Sequence, residues 1–191
     1  VIIQPITLRF SWYQDEVYYL FSSYPDAQLD RAELFMGIDP KKMAIMDSNL
    51  GFLPVASTVL ISGERNILVD PNNHHIGFYG LLGKALSSRG LTYSDIDVVV
   101  ATHWHHDHAS NVGLFAGGEL VVGKGELDFG REVYGEEEVQ GKIKKYAKVT
   151  EIDDAYELCP GVKVLYTPGH TPGSVCVVVE DGDQRIAVMG D

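Results

Sequence analysis

Cysteine is scarce in this chain: two residues, Cys159 and Cys176, among 191. That is too few for a disulfide framework, and it excludes the small secreted domains that depend on cross-links. Cys176 falls in the apolar run 174–179 and is expected to pack as a small core residue, whereas Cys159 precedes Pro160-Gly161 at an expected turn. Long apolar runs are missing as well. No stretch approaches the ~20 residues that a bilayer-spanning helix needs. The opening Val1-Ile2-Ile3-Gln4-Pro5 lacks the basic, apolar and cleavage regions of a signal peptide. A cytoplasmic location without a membrane partner is the resulting expectation. Basic residues are in deficit too: 15 Lys and Arg against 27 Asp and Glu give a formal net charge of -12, which argues against a general nucleic-acid binder. There is no internal repeat, no low-complexity segment and no Gly-x-Ser-x-Gly, so no serine nucleophile of that kind is expected.

What is present suffices for one domain with its own core. Residues 1–10 alternate loosely enough for a first strand. The stretch 11–49, aromatic from Trp12 to Tyr24, either packs on the core as an elaborated arm or covers one side of a pocket. The β-branched runs 55–62 and 66–70, joined by Gly63-Glu64-Arg65, read as a hairpin. Residues 78–89 place Leu81, Leu82, Ala85 and Leu86 at helical spacing and stop at Gly90. Residues 92–101 read as a buried strand and 119–122 as another. The charged stretch 125–148 is expected to be exposed helix or loop, with its basic part 142–148 a solvated face. Short β runs follow at 155–158, 162–166, 174–180 and 184–189, divided by Pro, Gly and Asp turns. This order predicts an α/β layered fold of mixed sheets with helices outside, not a doubly wound nucleotide fold.

The chemistry concentrates in His103-Trp104-His105-His106-Asp107-His108, at the end of the apolar run 97–101. His103, His105, Asp107 and His108 offer four metal-ligating side chains on one tight turn. Imidazole and carboxylate suit zinc and related first-row metals, and grouping them on one loop reduces the ordering cost of binding. A second signal is Thr167-Pro168-Gly169-His170-Thr171-Pro172-Gly173-Ser174, where two Pro-Gly pairs stiffen the loop that carries His170. A third is Met189-Gly190-Asp191, a small and apolar strand end closing on a carboxylate.

In this order the three motifs resemble those of the metallo-β-lactamase-fold superfamily: His-x-His-x-Asp-His, then Pro-Gly-His, then Gly-Asp. The resemblance covers about residues 55–191, and the hairpin ending at Asp70 is similar to the family's first, mostly structural, motif. It implies an αββα sandwich with metals in a groove at one edge of two facing sheets, formed as a single domain over 1–191 with 1–54 as an N-terminal elaboration. It further implies that His103, His105 and His170 bind one metal, that Asp107 and His108 bind a second, and that Asp191 bridges both. Two zinc ions per chain are expected, with iron or manganese as alternatives. The implied activity is hydrolysis of an ester, lactone, thioester or similar acyl bond in a small molecule by metal-bound hydroxide, with Asp107 orienting the water and receiving its proton. Two other readings remain open. His103, His170 and Asp191 could instead form the face of a mononuclear non-haem iron sulfur dioxygenase. A phosphodiesterase or ribonuclease also occurs in the superfamily, and Asn111-Val112-Gly113-Leu114-Phe115 is similar to a phrase in its RNA-cleaving members. A homo-oligomer is left open. Trp104 and His106 fall at variable family positions, and His74 and His75 are expected at the surface or a pocket wall. Two-metal members carry a further histidine, strands and helices downstream of Gly-Asp. Since this sequence stops at Asp191, a missing C-terminal part is expected.

Overall fold

Runs of valine, isoleucine and leucine become the inner strands, and the pattern of their burial sets the layers. The computed structural model describes residues 2–11, 20–22, 53–71 and 79–191. The strands are β1 (Ile2–Ser11), β2 (Leu20–Ser22), β3 (Leu53–Ser62), β4 (Asn66–Val69), β5 (Val98–Val100), β6 (Glu119–Gly123), β7 (Lys148–Ile152), β8 (Tyr156–Cys159), β9 (Val162–Tyr166), β10 (Val175–Asp181) and β11 (Gln184–Val188). They form a seven-stranded sheet in the order β2-β1-β3-β4-β5-β6-β7 and a four-stranded sheet in the order β11-β10-β9-β8. In the larger sheet β4, β5, β6 and β7 run parallel, and their carboxyl ends therefore open on one edge.

Strands covered on both faces read as unbroken apolar runs, and Val98-Val99-Val100 is one, buried throughout. Val98 and Val100 join Ile67, Val69 and Val121 in the layer between the sheets, facing Val162, Val164, Val175 and Val177 of the smaller sheet. Val99 alternates to the other face with Leu68 and Leu120. There Leu82 and Leu86 come from α1 (Tyr79–Ser87), Leu127 from α3 (Glu126–Tyr134) and Val139 from α4 (Glu136–Ile143). A one-turn helix α2 (His106–Ala109) adds Ala109 to the same layer. Helices, large sheet and small sheet stack in that order, as the expected α/β layered architecture requires.

The hairpin, the helix ending before Gly90 and the final meander lie where the sequence predicts them. Three expectations change. The strand predicted over 92–101 shortens to Val98–Val100, because Thr92 and Asp95 cap each other around a 3-10 turn, Tyr93–Asp95. The stretch 125–148 is two helices whose inner faces are buried at Glu126, Leu127, Gly130 and Val139, not an all-exposed segment. Strand β7 was not anticipated. Residues 12–19 and 23–52, and with them most of the aromatic stretch, lie outside the described residues, as do His74 and His75. Both cysteines are free and buried.

One buried acid fastens the sheets at the end remote from the histidine loop. Glu119 is 8% exposed, and its Oε1 accepts hydrogen bonds from Lys148 Nζ at 2.8 Å, Thr150 Oγ1 at 2.7 Å and Tyr156 OH at 2.9 Å. Burial pushes its pKa up, but these donors outweigh burial and hold it below the ordinary carboxylate value. A depressed folded pKa contributes stability that is present above the unfolded value and is lost as pH falls through the folded one. Glu119→Gln should therefore lower the midpoint of thermal unfolding at neutral pH and shrink that difference in acid. A difference that stays constant from neutral pH down to acid would contradict this account.

Candidate metal centre

The site assembles on the edge where the parallel strands end, the usual place for ligands in open α/β sheets. Strand β4 delivers Asp70, which has a positive φ of 49° and is buried. Aspartate tolerates that region better than most residues, and the backbone bend is held by Thr58 Oγ1 donating to Asp70 O at 2.8 Å. The bend turns the Asp70 carboxylate across to the end of β5. There it accepts from Thr102 N and Thr102 Oγ1, each at 2.7 Å, and pairs with His108 Nδ1 at 2.9 Å. A carboxylate on one ring nitrogen fixes the tautomer and leaves the other nitrogen to bind a metal.

Beyond β5 the chain runs through His103 and His105 into α2, so that Asp107 and His108 sit within one short turn. The loop from β9 to β10 brings in His170, and Asp191 follows β11. Ligand nitrogens of His103, His105 and His170 lie within 4.8 Å of one another, and so do the ligand atoms of His103, His108 and Asp191. His103 belongs to both groups. His105 Nδ1 and His170 Nε2 are 3.0 Å apart, and His108 Nε2 stands 3.3 Å from Asp191 Oδ1 and 3.6 Å from Asp107 Oδ2. Asp107 falls in neither group of three, but it borders the second. His106 is exposed and packs edge-on against Tyr134, with ring centroids 4.2 Å apart.

The donor set fits a divalent cation. His103 Nε2 is buried without a hydrogen-bond partner, an unfavourable state for a ring nitrogen in a protein interior unless an ion completes it, and the buried His108 Nε2 faces the carboxylates of Asp191 and Asp107. Burial, reinforced by the neighbouring His108 and His105, pushes His103 down to about 3, so its ring is neutral and its lone pair is free. Burial would also lower His108, yet Asp191 and Asp70 on either side outweigh it and raise His108 to about 10. The His108 hydrogen bond, working against burial, holds Asp191 well below the usual carboxylate range.

Helix α3 backs the histidine loop with one face. Phe129 packs on the His105 ring at 5.4 Å, and Gly130 lies beneath Trp104. A Cβ at Gly130 would fall 2.4 Å from Trp104 Cδ1. Gly130→Ala would gain roughly 1 kcal/mol of helix propensity but lose about 1–3 kcal/mol to overpacking. We expect net destabilisation, read as a lower urea midpoint; a raised midpoint would show that Trp104 yields freely. Gly190 is similarly confined, since a Cβ there would lie 2.7 Å from Thr102 Oγ1 and 3.3 Å from His103 Nδ1.

The residues that sequence reasoning missed are those behind the ligands. Thr102 carries no local signal and Glu126 falls in the stretch expected to be exposed, yet both are buried, Thr102 against Asp70 and His103 and Glu126 against Trp104. The pair of glycines around Gly123-Lys124-Gly125-Glu126, at the end of a buried strand, was the available signal for a close approach.

Comparison with known proteins places the chain in a family. The metallo-beta-lactamase superfamily profile matches residues 50–191. An N-acyl homoserine lactonase of Bacillus cereus is 32% identical over 100 residues, which cover 52% of this chain and 39% of that protein. An atrochrysone carboxyl ACP thioesterase of Passalora fulva is 26% identical over 170 residues, covering 86% of this chain and 46% of that protein. Among solved structures, an N-acyl homoserine lactone hydrolase with N-hexanoyl-L-homoserine at its catalytic metal centre superposes with a TM-score of 0.53 at 25% identity, covering 69% of this chain and 61% of that one. The matched stretches span less than half the length of these curated relatives. The motifs, the facing sheets and the profile match over most of the sequence agree, and the chain belongs to the metallo-beta-lactamase superfamily.

Proposed function

We propose that this protein is a metal-dependent hydrolase of small-molecule lactones or thioesters, working with two zinc ions per chain. The observation that carries this reading is the buried, unpartnered His103 Nε2, shared by two groups of ligand atoms that His105 and His170 complete on one side and His108 and Asp191 on the other. Bound divalent ions would bring the pKa of water toward neutrality and polarise the carbonyl under attack. His103, His105 and His170 would hold one ion; His108 and Asp191, with Asp107 at their border, would hold the other. Asp70 keeps the Nδ1 side of His108 occupied, so that Nε2 faces the site. Asp107 Oδ2, partly exposed at the mouth, is placed to accept the proton of the attacking water.

The lactonase and thioesterase relatives support an acyl substrate, since both reactions open an activated ester-type carbonyl. The net charge of -12 disfavours a polyanionic RNA substrate. Among the described residues no helix is long and apolar enough to cross a membrane. The test is elemental analysis of the purified full-length protein, followed by turnover of N-acyl homoserine lactones and acyl thioesters. Zinc near two per chain with hydrolysis of either class is the expected result. A single iron with oxygen consumption on persulfides would replace this reading with the dioxygenase.

A further inference from the structure

Glu126 is a carboxylate with no exposed surface, at the first turn of α3. Its Oε1 accepts the backbone N–H of Trp104 at 2.6 Å, between the ligands His103 and His105. Its Oε2 accepts Thr171 Oγ1 at 2.7 Å and Gly173 N at 2.8 Å, in the loop that carries His170. No cation pairs with Glu126 among the described residues. A buried carboxylate is costly unless charge-assisted hydrogen bonds satisfy it, and here three donors, all from the two ligand loops, do so. The surroundings leave little slack: a Cβ on Gly173 would lie 2.6 Å from Glu126 Cβ, and one on Gly123 would lie 2.1 Å from Gly173 O. The backbones of the β6 end and the His170 loop therefore touch.

We infer that Glu126 is a positioning residue that ties the His103–His105 loop to the His170 loop and sets the separation of their imidazoles for metal binding. The inference rests on the metal-site reading above and adds a residue that touches neither metal nor substrate. Glu126 fixes two loops that belong to different sheets, alongside the backbone bond from Val175 N to Thr102 O at 2.8 Å, and it alone of the two reaches beyond His103 to Trp104 and into the His170 loop at Thr171 and Gly173. His105 Nδ1 and His170 Nε2 are held 3.0 Å apart at the point the clamp controls.

The test is cobalt(II) titration of the metal-free full-length protein, following the d–d absorption bands, for Glu126→Gln, Thr171→Val and Leu127→Ala. Glutamine places an N–H₂ against donors of one loop, so the clamp is broken on one side. Leu127, 3% exposed on the same helix, serves as the control for general loss of stability. Expected for Glu126→Gln is a cobalt Kd raised about 10–100-fold, the usual range for residues supporting metal ligands, with an altered band shape. Thr171→Val should shift both in the same direction by less, and it decides the question if Glu126→Gln does not fold. Leu127→Ala should lower the unfolding temperature yet keep the unaltered spectrum. Unaltered binding in Glu126→Gln, or an equal change in Leu127→Ala, overturns the positioning role alone. Failure of the unaltered protein to take up cobalt or zinc overturns the metal site, and this inference with it.

Discussion

His103→Ala should remove bound metal and hydrolysis together. His103 is the member shared by both groups of three ligands, and it is 1% exposed at the bottom of the cluster. Without it, His105 and His170 remain as a pair for the first ion, and the second group loses its shared member, leaving His108 and Asp191 with Asp107 at their border. Two donors do not make a closed zinc site, which takes three or four protein ligands. The metal-free fold should survive, because the ring is neutral, its one hydrogen-bond contact is to Thr102 Oγ1 at 3.2 Å, its ring neighbours are the other ligand histidines, and Nε2 is unpaired. Elemental analysis after gel filtration is the measurement, with far-ultraviolet circular dichroism as the check on folding. Zinc at the unaltered stoichiometry in His103→Ala would sink the assignment. His106→Ala is the matched control, since His106 points outward onto Tyr134, and it should retain its metal.

Asp107→Asn should separate metal binding from turnover. Asp107 lies in neither ligand triad, and its Oδ2 approaches only the edge of the second at 3.6 Å from His108 Nε2. The amide keeps the shape and loses the ability to take a proton. Positioned proton transfer contributes about 10²–10⁴-fold to rate, and a loss in that range in kcat is expected while the His103, His105 and His170 ion stays bound. Steady-state kinetics at saturating zinc, with metal counted on the same sample, make the comparison. Turnover equal to that of the unaltered protein would take Asp107 out of the mechanism.

The ligand loops were legible because their chemistry is contiguous and uncommon: a six-residue phrase holding four histidines and an aspartate, and a histidine between two Pro-Gly turns. The two halves of the larger sheet were legible for a different reason, since buried strands leave apolar runs. Strand β7 left none. Its residues are exposed at Lys148, Val149 and Glu151, and Ile152 alone is buried, so an edge strand looked like the tail of a charged helix. Glu126 was hidden by ambiguity of another kind. An acid in the first turn of a helix is favourable in water through the helix dipole alone, and only the folded backbone shows that this one faces inward. Asp70 was visible as the end of a hairpin, but its bond to His108 spans 38 residues and has no local signature.

The two sheets contribute unequally to one cluster: β5 leads into His103 and His105, whereas His170 and Asp191 belong to the ends of strands in the smaller sheet. An ion held by both would thus be a further cross-link between layers already joined by side-chain packing and by hydrogen bonds such as Val175 N to Thr102 O at 2.8 Å. Ligand that binds only the assembled form shifts the folding equilibrium by RT ln(1 + [L]/Kd). Thermal stability should then rise with free metal, and a chelator should remove that increment.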